Sequence, residues 1–249
     1  MNILAVDSSG LAASAAVLSD DVIRSEYTVC NKLTHSETLM PMIDEVVKSS
    51  GLALGDMDAI AIAMGPGSFT GLRIGSATVK GLAEATGRPV IEVPTVNALA
   101  QNMAGYDGNI VPLMDARRNE TYTGIFTFAG GDLRVLREQC AVPLNEILAD
   151  VNGRGNKTVF LGDGIRVFAD QIKDICTVPY ILAPPGLRLQ RASSVAVLAQ
   201  RYYEEGRCID PAGHVPTYLR VSQAEREMSD KASKGEKDRQ GITAADDSL

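Results

Sequence analysis

The residues best suited to chemistry in this chain are one glycine-dense stretch at 65–75, GPGSFTGLRIG, and two aspartates, Asp7 and Asp115, each closing an apolar run. A glycine-rich turn that enters a helix presents first-turn N–H groups without intrahelical partners, and the helix dipole adds a preference for negative charge. Beside a carboxylate able to hold Mg²⁺, such a turn is suited to handling phosphate. The spacing excludes the common nucleotide motifs. Gly71 is followed by Leu72 and Arg73, where a Walker loop needs Lys and then Ser or Thr. Thr70 stands where the dinucleotide fingerprint needs its third glycine. Ser68 lies between Pro66 and Thr70 instead of the two glycines of a nucleophile elbow. The other reading of these glycines is that they permit a sharp turn and tight helix–strand contact, and spacing alone leaves both open.

The elements that must position these residues follow from hydrophobic period. The run at 58–64 suits a strand covered on both faces, and a helix is expected after it from about 71 to 85. Residues 3–10 form an apolar strand ending in Asp7, Ser8, Ser9 and Gly10, followed by a second strand at 13–18. Residues 110–118 repeat that scheme around Asp115, followed by a strand at 121–128. The second landmark also recurs: Gly65 and Gly67 after one strand are answered by Gly162 and Gly164 after the strand at 158–161. Each half reads as strand, Asp, hairpin, helix, then strand, Gly-x-Gly, helix. Thr34 with Glu37 three residues on is a capping-box signature, opening a helix that runs to about Ser50 and ends at Gly51. Further helices are expected at 97–103, 143–151, 165–172 and 193–205, with a short strand at 90–94. This alternation predicts an α/β fold with a mixed sheet in each half.

The expected division is a first lobe at 1–105, a second at 106–220, and a disordered polar tail at 221–249, too poor in large apolar residues to offset its ordering entropy. A net charge of −7 opposes unaided binding to phosphate backbones, with Arg117 beside Arg118 and Arg188 near Arg191 as the compact basic groups. Four scattered cysteines without a Cys-x-x-Cys pair argue against a zinc site or a disulfide framework and read as buried small hydrophobes. No apolar run approaches the roughly 20 residues that span a bilayer, and the N-terminus lacks a basic leader, so the expected place is the cytoplasm with no membrane contact.

MNILAVDSS, THSETLMPMID, GPGSFTGLRIG, the MDAR at 114–117, the GDG at 162–164 and the PTYLR at 216–220 together resemble the TsaB (YeaZ) family over most of residues 1–220. These proteins are relatives of TsaD within the actin-like ATPase superfamily. The resemblance implies two RNase H-like lobes with mixed sheets flanked by helices. It also implies a scaffold or activating role in making threonylcarbamoyladenosine beside the tRNA anticodon, where TsaD performs the transfer and TsaE is an ATPase.

In working superfamily members, an Asp at the end of the first strand of each lobe places Mg²⁺ and phosphates. Asp7, Ser8, Ser9, Gly65, Gly67, Asp115, Gly162 and Gly164 match a vestigial, weak nucleotide site. Ala116 and Arg117 replace the usual glycine after the second Asp, so the cradle reads as degraded, and Asp7 has the alternative of closing its own turn through Ser8 and Ser9. No cofactor is expected, ATP with Mg²⁺ entering only at the level of the complex, and no catalytic residue.

TsaD-like proteins hold a metal with histidines spaced on one helix. His35 has no partner at i+4 and His214 is the only other histidine, so no metal centre is expected. No His-Glu-x-x-His and no Ser/His/Asp arrangement is visible. The expected docking surface is the first two helices: His35, Leu39, Met40, Ile43 and Val47 on one, and Gly71, Arg73, Gly75, Thr78, Val79 and Leu82 on the other. Gly71, Gly75, Thr78 and Leu82 fall at steps of three and four, a small-residue stripe that another helix can approach closely. The implied partners are TsaD, TsaE and a homodimer when TsaD is absent, with tRNA met only through the complex. The rival from another class is an actin-like ATPase or small-molecule kinase using Asp7 and Asp115.

Overall fold

The computed structural model describes residues 1–31 and 33–220, and the tail expected at 221–249 lies outside the described residues. The first sheet has β1 (Asn2–Asp7) at its centre, antiparallel to β2 (Ala13–Ser19) on one side and parallel to β4 (Ala59–Ala63) on the other. β3 (Val22–Val29) and β5 (Val90–Val93) are its edges. The second sheet repeats the plan in the same order. β6 (Asn109–Asp115) is antiparallel to β7 (Glu120–Ala129) and parallel to β9 (Thr158–Leu161), with β8 (Asp132–Pro143) and β10 (Tyr180–Leu182) outermost. This 3-2-1-4-5 order, with its first three strands antiparallel and the rest parallel, makes each half an RNase H-like lobe of the actin-like type.

Alternation along β1 assigns its two faces. Leu4 and Val6 join α1 (His35–Ser50) and α2 (Phe69–Thr86) in one core. Ile3 and Ala5 join Ala16, Ala59, Ala61 and Ala63 against α6 (Ala192–Glu204) in the other. Alanines on that second face let α6 lie close to the sheet. The helix thus returns from the second half of the chain to the first sheet, and α3 (Thr95–Gln101) lies between α6 and strands β6–β8. The second sheet packs one face on α4 (Leu144–Arg154) and α5 (Ile165–Ile175).

Local signals set the helix ends. The Thr34 N–H and hydroxyl both donate to Glu37 Oε2, at 3.1 and 2.8 Å, and Gly51 closes α1 in the left-handed region at φ +76°. α2 begins two residues earlier than expected, because the Ser68 hydroxyl accepts from the Gly71 N–H at 3.3 Å and acts as N-cap. Strands β3 and β8 were not expected. Both expose charged side chains and so lack the unbroken apolar run of a buried strand. No helix among the described residues is long and apolar enough to cross a membrane.

Candidate functional site

The turn between β1 and β2 is closed from within. Asp7 is fully buried, and its Oδ1 accepts from the Ser9 N–H at 2.9 Å and the Ser9 hydroxyl at 2.6 Å, whereas Oδ2 has no partner. Burial pushes the carboxyl up to about 6, a rise the Ser9 bonds and the neighbouring His35 only partly oppose. The Ser8 hydroxyl donates to the Gly71 carbonyl at 2.8 Å, and the Ser68 N–H donates to the Ser9 carbonyl at 2.7 Å. His35 Nε2 donates to the Gly10 carbonyl at 2.9 Å.

The glycines of the 65–75 stretch serve this contact. A Cβ on Gly71 would lie 2.1 Å from the Ser8 carbonyl, one on Gly75 2.2 Å from the Ser8 hydroxyl, and one on Gly67 2.2 Å from the Ser9 carbonyl. Gly65, at φ +118°, faces the Thr217 carbonyl in the same way. The turn's carbonyl and hydroxyl oxygens lie directly against these glycines. Of the two readings of this stretch, tight helix–strand contact describes the geometry.

The second lobe has the same construction. Asp115 Oδ1 accepts from the Arg117 N–H at 2.7 Å and Oδ2 from Arg117 Nη1 at 3.1 Å, so Arg117 occupies the carboxylate. Gly162 and Gly164 both press on the Leu113 carbonyl, which accepts from the Gly164 N–H at 2.9 Å. Between them Asp163 is largely buried, its Oδ1 unpartnered and its carboxyl raised chiefly by that burial.

His35 and His214 are not brought together, and no three metal-ligating side chains converge among the described residues. His214 instead completes an arrangement that no spacing in the sequence signals. It is 2% exposed, its Nε2 lies 2.8 Å from Ser76 Oγ on α2, and its Nδ1 lies 2.6 Å from Glu92 Oε1 on β5. Lys80 Nζ caps the carbonyls of Ala212 and His214 at 3.1 and 3.3 Å. The Ser–His–Glu line has the polarity of a hydrolytic triad, but Ser76 is buried in the middle of a helix. There the line fastens the segment at 210–217 to α2. The cysteines also depart from expectation: Cys30 is exposed and the other three are half-buried, none paired.

The outer faces of α1 and α2 differ from the expected docking stripe. Leu39, Ile43, Val47 and Val79 belong to the first lobe's own core, and Gly71 and Gly75 face Ser8. A helical wheel groups residues by face without saying which face the sheet takes, and the close approach of the β1–β2 turn claims the two glycines. What remains outward on α2 is Thr70, Arg73, Ala77, Gly81, Glu84 and Ala85, with Thr78 and Leu82 half-buried among them and Met40 exposed on α1. Nothing lies within 4 Å of a Cβ placed on Gly81. Within this outward face Ala77, Gly81 and Ala85 form a small-residue strip at steps of four, flanked by Arg73 and Glu84.

A family model described as TsaD, tRNA N6-adenosine threonylcarbamoyltransferase, matches residues 30–228. A Bacillus subtilis (strain 168) protein named tRNA threonylcarbamoyladenosine biosynthesis protein TsaB is 33% identical, over 90% of this chain and 96% of its own. The Escherichia coli (strain K12) protein of that name is 29% identical, over 93% of this chain and 100% of its own. The structure of YeaZ from Pseudomonas aeruginosa matches with a TM-score of 0.73 at 26% identity, covering 88% of this chain and 99% of that one. With similarity running through both lobes, the chain belongs to the TsaB (YeaZ) family.

Proposed function

We propose that this chain is a non-catalytic scaffold subunit in the formation of threonylcarbamoyladenosine in tRNA, docking a TsaD-type transferase through the outer faces of α1 and α2. The observation that carries this reading is the exposed stripe of Arg73, Ala77, Gly81 and Ala85 beside Met40. Gly81 costs about 1 kcal/mol of helix propensity relative to alanine, and among the described residues nothing lies within 4 Å of the place its Cβ would take. A partner helix approaching closely offsets it. The relatives' shared name supplies the pathway, and the closed turns at Asp7 and Asp115 weigh against the rival ATPase or kinase reading. In this scheme TsaE joins the complex, tRNA is met only there, a homodimer uses the same face when the transferase is absent, and all of it takes place in the cytoplasm.

The test is Gly81→Arg and Ala77→Arg, each a long charged side chain on an open surface that leaves the core untouched. Size-exclusion chromatography with TsaD should show loss of the complex, and tRNA modification should fall with it, while circular dichroism and thermal unfolding stay those of the parent. Intact complex formation in both variants would sink the assignment of this face.

A further inference from the structure

On the α6 side of the first sheet, away from the docking face, lies a cleft of about 410 Å³ that neither lobe's aspartate enters. Glu26, Thr28 and Cys30, alternate residues of β3 and the residue after it, form one wall, and the loop at 185–191 forms the other. That loop is held in place: Asn102 Nδ2 donates to the carbonyls of Leu187 and Leu189 at 3.0 and 2.8 Å, and the Arg188 guanidinium donates to the Ala183 carbonyl. The floor includes Ala12 and Gln190.

Gln190 is the exceptional residue. It is 1% exposed, and neither Oε1 nor Nε2 has a hydrogen-bond partner among the described residues. A Cβ on Gly10 would stand 2.5, 2.6 and 2.6 Å from its Nε2, Cδ and Oε1, nearly equal distances that lay the amide flat over the glycine. One face of the amide is therefore covered, while its in-plane donor and acceptor stay unused. A buried primary amide has hydrogen-bonding capacity on both atoms, and leaving both empty is costly. The rest of the lining sets the ligand's charge. Glu26 accepts from Arg191 Nη2 at 2.5 Å and from the Ser193 hydroxyl and N–H at 2.6 and 3.1 Å, so the two charged groups in the wall neutralise each other. Pro185, Leu189 and Ala12 add apolar surface for a flat group, and the volume falls in the range of small-molecule sites.

We propose that this cleft binds a small, uncharged, planar ligand whose edge places an N–H donor beside an acceptor, as on a carboxamide or a nucleobase, and that the Gln190 amide reads that edge. Amide-to-edge pairing of this kind is how glutamine recognises adenine. The test titrates isotopically labelled full-length protein with adenosine, cytidine or propionamide and follows the Gln190 side-chain NH₂ resonances. In parallel, mass spectrometry follows the rate at which iodoacetamide modifies Cys30 on the cleft's rim. At least one probe should move the Gln190 resonances saturably, with Kd at or below about 1 mM, and should slow Cys30 modification several-fold. Which probe does so separates the carboxamide from the nucleobase source. Gln190→Leu, similar in size without the polar atoms, should abolish the Cys30 protection while the far-ultraviolet spectrum is kept. The proposal is overturned if none of the three probes saturates, which would leave water as the occupant, or if the leucine variant protects Cys30 as the parent does. Binding to TsaD is a separate readout, so failure here leaves the docking face untouched.

Discussion

Replacing Asp7 by asparagine should make this protein more stable at neutral pH, although the change removes a carboxylate from the place where related folds hold Mg²⁺. Burial raises the Asp7 carboxyl from 3.8 to about 6, a shift of about two pKa units. At about 1.4 kcal/mol per unit, that is roughly 3 kcal/mol of stability forfeited once the group is ionised. The sign follows from proton counting. Between pH 3.8 and about 6 the native state holds this proton more tightly than the unfolded chain, so stability falls as pH rises through that window, and the full cost is present above it. Asparagine keeps an oxygen to accept from the Ser9 N–H and hydroxyl, and it exchanges the unpartnered Oδ2 for an amide that is also unpartnered, at about 1–3 kcal/mol. The expected net gain is up to about 2 kcal/mol at pH 7, shrinking to nothing or reversing below pH 4. Urea unfolding of both proteins at intervals from pH 4 to pH 8 measures it. Parallel stability curves for parent and variant, or a variant less stable at pH 7, would refute the burial argument. Complementation of tRNA modification by Asp7→Asn is the companion readout, since a scaffold tolerates the change and a phosphate-handling site does not.

Gly75→Ala and Gly81→Ala make a matched pair on one helix. The first drives a Cβ into the Ser8 hydroxyl and should cost about 1–3 kcal/mol, whereas the second meets nothing and should gain about 0.5–1 kcal/mol in the isolated chain, both read by denaturant midpoint. For the same reason Gly75→Arg cannot probe the docking face, since it would strike the fold first. His214→Ala leaves Ser76 and Glu92 without their shared partner and should cost about 1–3 kcal/mol. Amide exchange at Thr217, whose N–H donates to the Met64 carbonyl at 2.8 Å, should accelerate in that variant more than exchange within β1.

The parts of the fold that the sequence disclosed are those whose determinants are local. The strands at 2–7 and 59–63 read as strands because each is buried on both faces, and α1 reads to within a residue because Thr34, Glu37 and Gly51 mark its ends chemically. The repeated Asp and Gly-x-Gly landmarks foretold the repeated strand order. What escaped depends on distance. Ser76 and His214 are 138 residues apart, and no spacing links them. The return of α6 to the first sheet rests on alanines in β1, β2 and β4, whose small size shows only once the partner helix is in place. Gly71 and Gly75, expected on an outward stripe, face Ser8 instead, because helical period fixes which residues lie together and only packing decides which group turns inward.

Accounting for backbone donors explains why a turn that resembles a phosphate cradle need not act as one. An anion site at a helix N-terminus depends on first-turn N–H groups that nothing else in the chain occupies. Here two of the first-turn donors are taken within the chain, the Ser68 N–H by the Ser9 carbonyl and the Gly71 N–H by the Ser68 hydroxyl. The glycines that would let a phosphate approach let the β1–β2 turn approach instead, so α2 is tied to the first sheet by the Ser8 hydroxyl and by two carbonyl contacts. Opening the turn for a nucleotide would break those ties and uncover Asp7 together. A helix held this way keeps its outer stripe in one position relative to the sheet, which lowers the ordering cost of association. The same contacts that tie the turn to α2 therefore favour that helix as a docking element.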